Sequence, residues 1–250
     1  MNKISKLTDI LERLNNNPDD SPTRTEAKDL VSEITPLELS LAEQKLIEAG
    51  LEPERLQHLC AIHLEVLEGE LAGFRSSLPA NHPLAIMIAE HDRILGFLVQ
   101  LEQLNRRLQK LGQFDAANPD FTLLRTIAEN LIAAENHHQR EEQALFPAME
   151  ERGVTGPPHI MCLEHDALRI RKHTLLELAE RVATMDYEEF KAALAETAGY
   201  VVFNLRDHIF KENNILYPSA IETITEASAW DAIQAKCDAI GYCPFTPGRD

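Results

Sequence analysis

The sequence predicts an all-α protein, an up-down-up-down four-helix bundle preceded by a small helical domain. Three observations carry that expectation. Between clusters of Gly, Pro, Asn and Asp, apolar residues recur almost everywhere at three- and four-residue spacing, and strand-like alternation is scarce. Four of these periodic stretches are long and separated by brief breaks, as antiparallel bundle helices are. Polar residues in the second pair of long stretches echo those of the first pair, so two helical hairpins are expected about an approximate two-fold axis.

In chain order, residues 1–20 mix apolar and charged residues as an amphipathic helix does, without the continuous apolar region of a secretion signal. Thr35-Pro36-Leu37-Glu38 sets a capping threonine before a first-turn proline and a reciprocating glutamate, so a helix starts there. Breaks rich in Gly, Pro, Asn and Asp fall at 15–22, 50–53, 76–83, 112–119 and 153–158. They leave short helices up to about residue 76 and four long ones at 84–111, 121–152, 159–183 and 187–225. Asp186 with Glu189 caps the last of these. A short helix over 228–239 and an irregular tail at 241–250 follow. The expected organisation is a small helical domain at 1–76, the bundle at 82–225, and a short helix with tail at 226–250.

Composition narrows the function classes. The 250 residues are 44% hydrophobic, enough for a sizeable core. Asp and Glu number 41 against 24 Lys and Arg, a net charge of -17 with no basic block, so nucleic acid and anionic membrane are poor partners. No run approaches the length of a membrane span. The four cysteines, Cys60, Cys162, Cys237 and Cys243, form no C-x2-C pair and are expected to be reduced, in a cytoplasm.

The repeat carries the chemistry. The second long stretch holds His137, Glu141, Leu145, Phe146 and Pro147; the fourth holds His208, Glu212, Leu216, Tyr217 and Pro218, each 71 residues further on. The first and third share Glu90-His91-Asp92 and Glu164-His165-Asp166, 74 residues apart. A His and a Glu four residues apart lie on one helical face and can grip one centre together. These faces are apolar. His91 falls among Leu84, Met87, Ile88, Ile94, Leu95 and Leu98, and His208 among Val201, Leu205, Ile215 and Leu216. His137 and Glu141 share their face with Ala133, Ala134, Ala144, Leu145 and Ala148, whose small side chains leave room. His165 joins Met161, Cys162, Leu168 and Leu176, with Arg169 and Lys172 interrupting.

Four histidines and two carboxylates converging on a bundle interior are costly unless something satisfies them, and a metal centre does so. Mixed imidazole and carboxylate donors favour iron or manganese. The expected ligands are His91, His137, Glu141, His165, His208 and Glu212, the glutamates bridging two metals and open positions remaining for water or a small ligand. His138 with Glu142 is a competing pair one residue out of phase. Cys60 and His63 form a Cys-x2-His pair, which a buried cysteine in an amphipathic helix also explains. Tyr200, Glu90 and Glu164 are candidates for supporting or proton-delivery roles, and His58, His82, His159 and His173 for capping, solvent-facing or supporting ones.

The segments HHQREEQALFP at 137–147 and HIFKENNILYP at 208–218, with the two Glu-His-Asp triplets, resemble the hemerythrin-like, or HHE cation-binding, domain. The resemblance covers roughly 82–222 and implies a four-helix bundle with a non-haem di-iron centre. By register it favours His137 and Glu141 over His138 and Glu142. Oxygen-carrying hemerythrins have a fifth histidine on the third helix, where this chain has Arg169, and a His-x4-Asp on the last, where it has His-x3-Glu. The set of four histidines and two glutamates is similar instead to di-iron proteins that repair iron-sulfur clusters, although the adjacent cysteines with which those begin are missing here. ITPLELSLAEQKLIEAG and LQHLCAIHLEV, in the segment from 7 to about 71, are similar to a helical domain of uncharacterised function found ahead of hemerythrin-like domains.

The resemblance implies a cytoplasmic di-iron protein that binds NO, O2 or peroxide in nitrosative or oxidative stress, with iron-sulfur cluster repair as the specific form. Alternatives are a redox or gas sensor without turnover, its N-terminal helices signalling to a protein partner, and iron storage or donation.

Overall fold

The computed structural model describes residues 35–48, 50 and 71–249, with isolated positions at 6, 8–10, 13, 22, 23 and 26. Cys60, His63 and His58 lie outside the described residues. The helices are α1 (Pro36–Glu48), α2 (Leu71–Ser77), α3 (Pro83–Leu108), α4 (Pro119–Ala133), α5 (Glu135–Arg140), α6 (Phe146–Glu150), α7 (Gly156–Arg181), α8 (Tyr187–Lys211), α9 (Tyr217–Thr223) and α10 (Ala227–Ile240). Two π turns, Glu141–Leu145 and Glu212–Leu216, join α5 to α6 and α8 to α9. No strand occurs among the described residues.

Local chemistry sets the helix starts. Thr35 Oγ1 accepts from the Glu38 N–H while Glu38 Oε2 accepts from the Thr35 N–H, a reciprocal cap on α1. His82 and Asn118 cap α3 and α4, each followed by a proline that needs no N–H partner in a first turn. Asp186 accepts from the N–H groups of Glu188 and Glu189 to open α8.

The second and fourth long stretches are not the unbroken helices expected from periodicity. A turn at Ala134 divides α4 from α5, and the π turns follow. Pro147 and Pro218 explain them: a proline inside a helix lacks the N–H and crowds the carbonyl four residues back. Each chain relaxes by widening, so that the Phe146 N–H reaches the Glu141 carbonyl and the Tyr217 N–H reaches the Glu212 carbonyl, five residues back.

In the bundle α3 packs on α4, α4 on α7, α7 on α8 and α8 on α3, which closes a ring of four. Its interior is layered. Ile94, Leu98, Leu101, Leu124, Leu175, Leu194 and Val201 belong to one apolar cluster, and Leu84, Met87, Leu145, Phe146, Met161 and Leu216 to another. His91, in the third turn of α3 between Met87 and Ile94, places the polar residues between these clusters. The N-terminal helix docks on the bundle: Gln44 of α1 caps α7 by accepting from the N–H groups of Thr155 and Gly156. Gly156 is required there, because a Cβ would lie 2.9 Å from Gln44 Cβ. No helix among the described residues is long and apolar enough to cross a membrane.

Candidate metal centre

The six residues singled out from the repeat meet in one buried cluster, each at most 1% exposed. His91 Nε2 and His137 Nε2 are 2.9 Å apart, and so are His165 Nε2 and His208 Nε2. Glu212 reaches both pairs, with Oε2 3.1 Å from His91 Nε2 and Oε1 2.7 Å from His208 Nε2. Glu141 does likewise, its Oε2 standing 3.6 Å from His137 Nε2 and 3.5 Å from His165 Nε2. The π turns begin at these two glutamates, so the widened backbone and the carboxylates coincide.

Every imidazole is turned inward by an oxygen behind it. His137 Nδ1 donates to Glu90 (2.7 Å), His208 Nδ1 to Glu164 (2.8 Å), His165 Nδ1 to Glu142 (2.7 Å) and His91 Nδ1 to Asn213 (2.8 Å). A neutral ring that keeps its proton on Nδ1 presents the Nε2 lone pair to the centre. Two such lone pairs facing at 2.9 Å would repel, and among the described residues Glu141 Oε2 and both Glu212 oxygens accept no hydrogen bond. Buried acceptors pointed at one another are what a cation satisfies, so the donor set fits a metal. His91, His137 and Glu212 form one group able to hold an ion, and Glu141, His165 and Glu212 another.

The supporting residues obey the repeat as well. Arg140 pairs with Glu90, and Lys211, 71 residues on, pairs with Glu164. Burial opposes ionisation of Glu90, but the hydrogen bond and charge of His137, then Arg140 and Thr246, hold it at about 2. Burial drives His137 down to about 4. It also opposes protonation of His208, yet the charge of Glu212, 2.7 Å away, and the bond to Glu164 prevail and raise it to about 9. Burial, then the Glu212 charge, lifts Glu141 well above the usual carboxylate range.

Several residues stand elsewhere than expected, or do more. Tyr200 is partly exposed under the Arg171 guanidinium, 4.7 Å from the ring centre, and takes no contact with the cluster. Glu142 orients His165 and binds Arg169, while His138 is buried and stacked on His165 at 4.0 Å. His138 with His165 and His208 forms a third group able to hold an ion. His82 caps α3, and His159 and His173 are exposed. Among the described cysteines, Cys162, Cys237 and Cys243 are free thiols, and Cys243 Sγ lies 3.9 Å from Arg140.

Tyr217 escaped the sequence reading. Its hydroxyl donates to Glu141 Oε1 at 2.7 Å and sits 3.5 Å from the Nε2 atoms of His91 and His137. The signal was present in the repeat, where the matching position is Phe146. Thr246 in the tail donates to Glu90, a contact that no local pattern announces.

Two family models match the chain. The family model described as the hemerythrin HHE cation binding domain matches residues 82–220, and a family of unknown function (DUF438) matches 7–73. The iron-sulfur cluster repair protein YtfE of Yersinia pseudotuberculosis serotype IB is 27% identical over 179 residues, covering 64% of this chain and 78% of that protein. The protein of the same name from Escherichia coli O139:H28 is 28% identical over 181 residues, with the same coverages. With its matched segment spanning more than half of its length, the chain belongs to the hemerythrin HHE cation binding domain family.

Proposed function

We propose that this is a cytoplasmic non-haem di-iron protein that binds NO, O2 or peroxide and acts in iron-sulfur cluster repair under nitrosative or oxidative stress. The observation that carries the reading is the facing of two Nε2 pairs across two carboxylates, three of whose four oxygens accept no hydrogen bond among the described residues. The similarity to proteins named for iron-sulfur cluster repair supports the physiological part. His91 and His137 would hold one iron and His165 and His208 the other, with Glu141 and Glu212 shared. Iron held there supplies ligand binding and one-electron redox chemistry.

The chain's own residues do the rest. Glu90, Glu164, Glu142 and Asn213 fix the imidazole rings and keep each Nδ1 proton outward. Tyr217 holds a proton at Glu141 Oε1 beside the His91–His137 pair, the one hydroxyl among the described residues donated to the two shared carboxylates. The apolar layers on either side exclude water.

The test is metal content and the optical spectrum of anaerobically purified protein, with and without NO, beside a His137→Ala, Glu141→Ala double variant. About two irons per chain, lost in the variant, and consumption of many equivalents of NO or peroxide per site are expected. Zinc, or iron retained by the variant, refutes the assignment. A sensor reading has one observation of its own: α1, from the segment before the bundle, packs on the π turn that carries Glu212. In that case the 1–76 unit changes its docking when the ligand binds, without turnover.

A further inference from the structure

Position 172 breaks the internal repeat. The 74-residue offset that aligns His91 with His165 sets Lys172 against Leu98, a leucine of the apolar core. Lys172 is 2% exposed, and its Nζ makes no hydrogen bond among the described residues. Its surroundings depart from the repeat too: Arg169 corresponds to Leu95 and His173 to Val99. Ile132, Glu135, Arg169, Lys172 and His173 together line a cavity of about 140 Å³.

The charges around this cavity leave one cation over. Arg169 is engaged by Glu135, Glu142 and Asp166, and its guanidinium occupies both oxygens of Glu135. Among the described residues Lys172 is therefore the ammonium without an ion-pair partner, buried where an unpaired charge is costly. His138 borders the same region: its Nδ1 has no hydrogen-bond partner and lies 3.8 Å from Glu135 Oε2, while its ring stacks on His165. At roughly 30 Å³ per water, the space takes a triatomic or smaller ion with a few waters.

We infer that this cavity binds a small monovalent inorganic anion, paired with Lys172 and separated from the candidate metal centre by His138. A single free ammonium matches a single negative charge, and a small inorganic ion fits the space beside it. The site stands on residues that the metal reading does not use, so either can fail alone.

The experiment uses the metal-loaded protein. Crystals soaked in bromide are expected to show anomalous density against Lys172 Nζ, with the optical spectrum of the metal unchanged. Nitrite titrated by calorimetry is expected to bind, and to raise the melting temperature. Lys172→Leu, which installs the residue that the repeat itself packs there, and Lys172→Met, closer in shape, are both expected to lose the bromide peak and to weaken nitrite binding on the order of tenfold or more. Bromide found only at the metal, a peak that survives in either variant, or nitrite affinity unchanged by both substitutions overturns the inference.

Discussion

The two hairpins, α3 with α4–α6 and α7 with α8–α9, agree wherever a cation would be gripped and differ in what surrounds it. Both supply a histidine and a His-Glu pair, a π turn beginning at the glutamate, and an acid orienting a histidine of its own hairpin, backed by Arg140 or Lys211. Against that common frame, Tyr217 of the second hairpin stacks on His91 where Phe146 of the first stacks on His165. Asn213 replaces Glu142, and Lys172 replaces Leu98. Glu212 stands 2.7 Å from His208 while Glu141 stands 3.6 Å from His137, which is why two equally buried histidines are pushed in opposite directions. Symmetry serves holding, and its violations make the two positions unlike, so a small ligand need not meet them equally.

The largest expected effect tests the shared part. Glu212→Ala should empty both positions, whereas His91→Ala or His165→Ala should each remove about one metal per chain, counted by elemental analysis. Equal losses in all three would break the idea that the carboxylates are held in common. Next, Lys172→Leu should restore the repeat and stabilise the fold at pH 7 by about 3 kcal/mol in urea unfolding. The sign follows from burial, which lowers this lysine from 10.5 to about 8. Between those values the unfolded chain binds more protons than the folded one, so wild-type stability rises with pH and the gap to the variant closes; below pH 8 the whole penalty is present.

Tyr217→Phe copies the first hairpin into the second and removes a bond to a buried carboxylate. A loss of about 2 kcal/mol is expected, together with altered ligand affinity at the His91–His137 side. The smallest effect belongs to the tail. Thr246→Val should cost about 1 kcal/mol and shift the nitrogen resonances of His137 but not those of His208, because His208 Nδ1 donates to Glu164, not to Glu90.

What could be read in the sequence was what occurs twice. The bundle and the six converging residues are marked by paired offsets, and the caps at Thr35 and Asp186 by residues acting within one turn. Features that occur once, or act across the chain, were not legible. Thr246 meets Glu90 across 156 residues, and Lys172 on an apolar stripe looked like an interruption of that face although it is buried. Pro147 and Pro218 stood inside the repeated motif, yet periodicity averages over a turn and passes straight through a widened one.

Those widened turns also constrain how the chain can change over generations. Each holds one residue more than a regular turn, so a three-base deletion around Gln143 or Asn214 would remove that extra residue and set the following proline against a regular turn. The deletion would rotate everything beyond it by about 100° relative to the histidine before it, carrying Phe146 or Tyr217 off the cluster. Substitutions around the ligands can tune this centre by degrees, whereas a single-codon deletion within either widened turn would disrupt it in one step with every ligand still encoded.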